Sequence, residues 1–186
     1  MRKGFTMIEL IFVIVILGIL AAIAIPRLAA TRDDAEVSKA ATNLTTFISD
    51  VGAYYTSQAT FGKLKDMSNV VVDTPKDLTI AADGTITGKA SGNFLAAGKK
   101  CISFEIVPEV ATDVKKTPAY IVVKDGADKG AAICKKVLAV GTVSKMKQSE
   151  FYGQTGVKDA TTGATTWSKD TDATKGYQLT GLNVVF

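Results

Sequence analysis

Met1-Arg-Lys-Gly-Phe-Thr-Met-Ile-Glu-Leu10, followed by an uncharged apolar run to Ile25 and Pro26, decides how the rest of the chain is read. Two cations come first, then Gly4 and Phe5, and one carboxylate, Glu9, sits inside otherwise apolar sequence. As a helix, Phe5 to Ile25 covers roughly 30 Å at about 1.5 Å per residue, the thickness of a bilayer's hydrocarbon core. Arg2 and Lys3 on the short N-terminal side orient that end toward the cytoplasm. The sequence beyond Pro26 is too polar for a second span, so one N-terminal membrane helix carrying one exported domain is expected.

Glu9 needs a physical reason. An ionised carboxylate in hydrocarbon costs several kcal/mol, so an acid within a span points to a function and to a partner. Arg2 and Lys3 are candidates at the interface. Cleavage between Gly4 and Phe5 would create another, a new α-amine four residues before Glu9. That amine can pair with the carboxylate of its own chain or of a neighbour, and the intermolecular pair is satisfied only at the correct axial stagger.

At these residues the chain resembles the type IV filament family, the type IV pilins and the pseudopilins of type II secretion. The match is Gly4-Phe5-Thr6-Met7-Ile8-Glu9-Leu10, then Gly18 and Pro26 in the apolar run. The resemblance implies that a prepilin peptidase cuts after Gly4 and that the new N-terminal Phe5 is N-methylated. It implies that Glu9 neutralises the Phe5 amine of an adjacent subunit during assembly, and that the helix loosens in the filament between Gly18 and Pro26. Proline inside a helix removes one hydrogen bond and crowds the preceding turn. The motif covers about the first thirty residues and names the superfamily better than the member.

Two plainer readings compete. An ordinary secretory signal also has a basic start and an apolar middle, and Ala22-Ile23-Ala24 is a passable cleavage site. Ile25-Pro26 follows it directly, however, a charge within the apolar region is unfavourable, and the helical pattern continues unbroken. A simple single-span anchor leaves Glu9 unexplained.

The 186 residues are enough for the anchor and one compact domain. There are 22 basic and 18 acidic residues, and removing a leader that carries Arg2 and Lys3 leaves 20 against 18. Such a balance does not indicate nucleic acid as a partner. Histidine is absent, which excludes a histidine metal site or general base. Cys101 and Cys134, in an exported domain, most simply form one disulfide, and two buried thiols are the alternative.

Val37, Ala40, Leu44, Phe47, Val51 and Tyr54 recur at three- and four-residue steps, the stripe of an amphipathic helix. Joined to the anchor, they predict one helix from about Phe5 to about Ser57. The expected divisions are a leader (1–4), an assembly helix (5–26), its amphipathic continuation (27–57) and a β-rich head (58–186). In the head, Val70 to Val72 reads as a short buried run. Leu78 to Ala81 and Thr85 to Thr87 flank an Asp83-Gly84 turn. Gly88 to Lys100 reads as a loop with a helical turn at Phe94 to Ala97. Ile102, Phe104 and Ile106 alternate as a half-buried strand, and Tyr120 to Val123 is another. Ala131 to Val140 is read as a short helix, Lys145 and Lys147 as exposed, Gly153 to Gly176 as a surface loop, and Tyr177 to Phe186 as a closing strand. The fold class expected is α+β, a long helix packed on an antiparallel sheet. The pilin resemblance implies the same architecture. Many type IV pilins enclose a loop near the C-terminus with their disulfide. Here some fifty residues follow Cys134, so that loop's adhesive roles are not carried over.

Catalytic motifs are absent: no P-loop, no dinucleotide fingerprint, no Gly-x-Ser-x-Gly and no Cys-x-x-Cys. Glu105 and Glu109 read as charged surface rather than as an acid–base pair. Asp170 and Asp172, with Asp159 nearby, are weak calcium candidates that match no ligand spacing. Lys99-Lys100, Lys115-Lys116 and Lys135-Lys136 attract anions if they cluster and only solubilise if they scatter. No cofactor is expected. What is expected is a structural subunit of a type IV pilus serving adhesion, motility or DNA uptake. The alternatives are a pseudopilin of type II secretion and a non-polymerising membrane-anchored binding domain. The partners implied are like subunits, prepilin peptidase with its methyltransferase, the inner membrane and the assembly machinery. The location is the inner membrane before assembly and a periplasmic or surface filament after it.

Overall fold

Apolar periodicity that changes at residue 37 produces two kinds of helix in one element. The computed structural model describes residues 6–112 and 114–179. Helix α1 spans Met7–Gln58 and passes through Gly18 and Pro26 without a break. The chain divides into two units between Glu36 and Val37. In the first unit the large apolar side chains from Met7 to Leu28 are all exposed, from 41% at Ile16 to 82% at Met7. By length and composition this stretch can cross a membrane.

In the second unit α1 follows the predicted stripe. Ala40, Leu44, Phe47 and Val51 are fully buried, with Val37 and Tyr54 packed at the margin. After a short turn, α2 (Leu64–Met67) leads into β1 (Asp73–Lys76), β2 (Thr79–Ile80) and β3 (Ile86–Thr87). Then come β4 (Ala90–Ala96), β5 (Lys99–Val107), β6 (Val110–Ala111), β7 (Lys115–Thr117) and β8 (Tyr120–Asp125). Two helices follow, α3 (Ala132–Ala139) and α4 (Gly141–Gln148). The described chain closes with β9 (Glu150–Phe151), β10 (Gln154–Lys158), β11 (Thr165–Lys169), β12 (Thr174–Lys175) and β13 (Tyr177–Gln178).

The main sheet has the order β1-β4-β5-β8-β13, with every neighbouring pair antiparallel. Its inward residues, Phe94, Ile102, Phe104, Ile106 and Ile121, are buried. Phe47 of α1 meets Phe104 at 4.6 Å and Phe94 at 5.5 Å between ring centroids, which fixes the packed half of the helix on the sheet. A second sheet has the order β11-β10-β7-β6. The architecture is therefore a long helix with an antiparallel β head, α+β as expected.

Several expectations are corrected. Val70 to Val72 is neither a strand nor a buried run, since Val71 is 85% exposed. Gly88 to Lys100 is not a loop with a helical turn but contains β4, a central strand pairing with β1 and β5. Its inward positions, Ala90, Gly92, Phe94 and Ala96, are mostly small, so its period of two is nearly invisible in hydropathy. Gly92 is small for a reason: Val72 and the Phe104 ring occupy the space a side chain would take. β4 and β5 join through Ala97 and Gly98, both at positive φ, as a two-residue hairpin requires.

Gly141 to Gln148 is helical, and Lys147 is not simply exposed but pairs with Asp125. Gly153 to Gly176 is not one loop; β10 and β11 pair through five residues, and β12 pairs with β9. Asp83-Gly84 does turn between β2 and β3, and residues 131–140 do contain a helix, α3. Of the expected closing strand, Tyr177 and Gln178 pair with β8, while Leu182, Val184 and Phe186 lie outside the described residues.

Candidate functional site

The helix start is where sequence and structure meet most closely. Gly4 and Phe5, expected to be the cleavage and methylation positions, lie outside the described residues. α1 begins at Met7, which makes Thr6 its N-cap and Glu9 its third residue. The Thr6 amide donates to Glu9 Oε2 at 2.9 Å and the Thr6 hydroxyl donates to the same oxygen at 2.7 Å. The Glu9 amide returns a hydrogen bond to Thr6 Oγ1 at 3.4 Å. This is a reciprocal capping box, in which the two side chains satisfy amides that the first helical turn leaves without partners. The partial positive charge of a helix start also favours a carboxylate there.

Glu9 thus has a partner in its own chain that the sequence reading did not weigh. The signal was present as Thr6-Met7-Ile8-Glu9, a Thr-x-x-Glu pattern ahead of an apolar run. Both accepted bonds fall on Oε2, and neither involves Oε1. The exposed apolar surface continues from this box through Gly18, where a side chain would meet nothing within 4 Å, and through Pro26, which is held inside α1.

In the head, Cys101 and Cys134 form a disulfide between β5 and α3, with both cysteines fully buried and Cα atoms 4.7 Å apart. Closing a loop of 33 residues in the unfolded chain gives about 3–4 kcal/mol of stabilisation.

The other acidic candidates are separated. Lys124 and Lys89 flank Glu105; the Lys124 hydrogen bond, with the charge of both lysines, holds its carboxyl below the usual range. Glu109 instead accepts a 2.7 Å hydrogen bond from Tyr55 of α1. Burial, with the hydrogen bond and charge of Glu109, pushes the Tyr55 hydroxyl up to about 12. Asp170 accepts from Thr155, and Asp159 accepts from the amides of Thr161 and Thr162 in its own turn. Asp170 and Asp172 line one open pocket with Thr155, Ser168 and Thr174, but Asp159 does not. Among the described residues no group of three or more Cys, Asp or Glu side chains is placed to hold a metal ion.

The lysine doublets do not converge. Lys100 pairs with Asp73 at 3.0 Å on the main sheet, Lys116 stacks on Trp167 in the second sheet, and Lys135 lies on α3.

Residues 1–25 match the family model of the prokaryotic N-terminal methylation motif. The chain is also similar to the type IV major pilin protein PilA of Myxococcus xanthus (strain DK1622), 45% identical over 65 residues. That stretch is 35% of this chain and 26% of the relative, so the match spans about a quarter of the relative's length. No solved structure matches the chain. The motif and the relative both uphold the resemblance read from the sequence, and what they show is a similarity of the N-terminal part of the chain to type IV pilins.

Proposed function

We propose that this chain is a structural subunit of a type IV pilus, not an enzyme, and that it assembles through α1 after its leader, residues 1–4, is removed. The observation that carries the reading is the single acid, Glu9, set at the start of a helix whose apolar side chains are exposed over more than five turns. In the unassembled subunit the membrane covers that surface, with the N-terminus on the cytoplasmic side. In a filament, the same segment of other subunits replaces the lipid.

Prepilin peptidase cuts after Gly4 and the companion methyltransferase modifies Phe5. The Thr6–Glu9 box keeps the carboxylate hydrogen-bonded while no amine is available. On assembly, the Phe5 amine of a neighbouring subunit pairs with Glu9, which makes one axial stagger favourable. Gly18 and Pro26 mark where α1, continuous in the single chain, loosens on packing. Residues 5–26 serve as the assembly helix, 27–57 as its amphipathic continuation and 58–186 as the displayed head, which the Cys101–Cys134 bridge braces. The filament's use is adhesion, motility or DNA uptake. The pilus reading is preferred to a secretion pseudopilin because the matched relative is a major pilin.

The decisive experiment is Glu9→Ala in cells that express the chain with its assembly machinery. The expected outcome is a processed, membrane-inserted subunit that no longer appears in sheared surface fibres. Normal fibres from that variant, or a wild-type mature chain whose mass shows it still begins at Met1, would overturn the reading.

A further inference from the structure

At the edge of the main sheet the described chain ends against a flank of α1 that the core leaves open. β13 is the edge strand, and the Leu179 amide carries its pairing with β8 one step further by donating to the Ala119 carbonyl at 3.0 Å. The Leu179 carbonyl oxygen then lies 3.7 Å from the point where a side chain would begin at Gly52. A groove of about 320 Å³ opens beside this contact. Its floor is α1 from Thr45 to Thr56, and its walls include Met146 of α4 with Tyr177 and Leu179. The threonine hydroxyls on the floor are satisfied along the helix itself. Thr45 donates to the Ala41 carbonyl at 3.0 Å and Thr56 to the Gly52 carbonyl at 2.8 Å. An apolar occupant therefore leaves neither hydroxyl without a partner.

The sequence after Leu179 is Thr180-Gly181-Leu182-Asn183-Val184-Val185-Phe186. Leu182, Val184 and Phe186 recur at a period of two, the pattern of a strand with one apolar face. A straight continuation of β13 would carry that face off the helix. β13 runs from opposite Ile121 toward Ala119. At that end of the sheet Tyr55 bonds Glu109, just beyond β5, and α1 itself stops at Gln58. To stay on α1 the segment has to reverse, and Thr180-Gly181 is where the composition allows it, because glycine accepts the left-handed backbone that two-residue hairpin turns use.

We infer that residues 182–186 of the same chain occupy this groove, returning from a turn at Thr180-Gly181 along the side of β13 away from β8 and covering the flank of α1 from Thr56 back toward Thr45. The lengths agree. Thr45 to Thr56 spans about 16 Å of helix at about 1.5 Å per residue, and residues 182–186 span about 17 Å as a strand at about 3.4 Å per residue. The occupant is this segment rather than a second copy's because it is tied to the groove wall at Leu179. A tether this short gives it an effective concentration on the order of millimolar, which a separate chain has to exceed. The seat also covers a sheet edge, which natural sheets leave bare only at a risk of wrong pairing. Closed in this way, the head presents the segment and not the groove to its surroundings, whether or not the chain forms a filament.

The test uses the full chain in non-ionic detergent. Val184→Cys is combined in turn with Ser49→Cys, Gly52→Cys and Ala53→Cys, and the bonds formed on mild oxidation are mapped by peptide mass. At least one of the three pairs is expected to bond within a single chain, which requires Cα atoms closer than about 7 Å. Val184→Cys with Thr161→Cys, in the turn between β10 and β11, is expected to form no such bond. In a second measurement Leu182→Ser, Val184→Ser and Phe186→Ser are made together. This variant is expected to lower the urea midpoint of the head by about 1 M, because the groove loses its apolar cover. Val71→Ser, at a valine that is 85% exposed, is expected to stay within about 0.2 M of wild type. Three results would each overturn the assignment: no intrachain bond from any of the groove pairs, bonds only between chains, which would seat a second copy there, or a wild-type midpoint for the triple variant.

Discussion

The two parts of α1 use similar amino acids for opposite purposes. From Leu10 to Pro26 the helix is apolar all round, and every large side chain there is open. From Val37 to Gln58 only one stripe is apolar, and its centre, Leu44, Phe47 and Val51, is completely enclosed by the head. A helix that is hydrophobic on every side is stable only where its surroundings are apolar, whereas a striped helix brings its own partner in the same chain. The lesson is that exposed apolar area in the first part reflects where that part resides, not imperfect packing.

Three experiments sharpen or break this contrast. The largest effect is expected from Phe47→Ala, which empties the aromatic cluster and costs about 3–5 kcal/mol of head stability in denaturant unfolding. Ile14→Ala in the first part should leave that transition within about 0.5 kcal/mol of wild type; a comparable loss from both would erase the distinction. Next, replacing Cys101 and Cys134 together by serine should lower head stability by about 3–4 kcal/mol and leave membrane insertion unchanged. The smallest effect concerns Glu105. Its folded carboxyl is held below the ordinary value near 4.5, so it adds stability above that pH and loses it as the pH falls through the depressed value. Glu105→Gln should therefore flatten the acid limb of head stability below about pH 4.5, by under about 1 kcal/mol because the pair is partly exposed. An unchanged acid limb would show that the Lys124 contact contributes nothing in solution.

How legible each element was depended on whether large apolar residues marked its period. The stripe from Ala40 to Val51 and the alternation of Ile102, Phe104 and Ile106 could be read directly, and with them the α+β class. β4 escaped because packing against Phe104 and Val72 requires Gly92, and its other inward residues are mainly alanine. β10 and β11 escaped because Thr, Gly and Lys resemble loop composition when little of a sheet is buried. At the helix start the acid was conspicuous, while the threonine three residues before it was not, although capping depends on both. The pairing of Gln154 in β10 with Lys116 of β7 on one side and Lys169 of β11 on the other was out of reach for a different reason. Those residues lie far apart in sequence, and only strand register brings them side by side.

The buried bridge between β5 and α3 also decides what tension can do to the chain. Pulled from its two ends, the polypeptide would transmit load through the sulfur–sulfur link, and the stretch between Cys101 and Cys134, which includes β8, would be spared. Extended fully, that stretch would add roughly 110 Å. A head under tension is in this way kept from releasing that slack, and it can recoil from a shorter displacement.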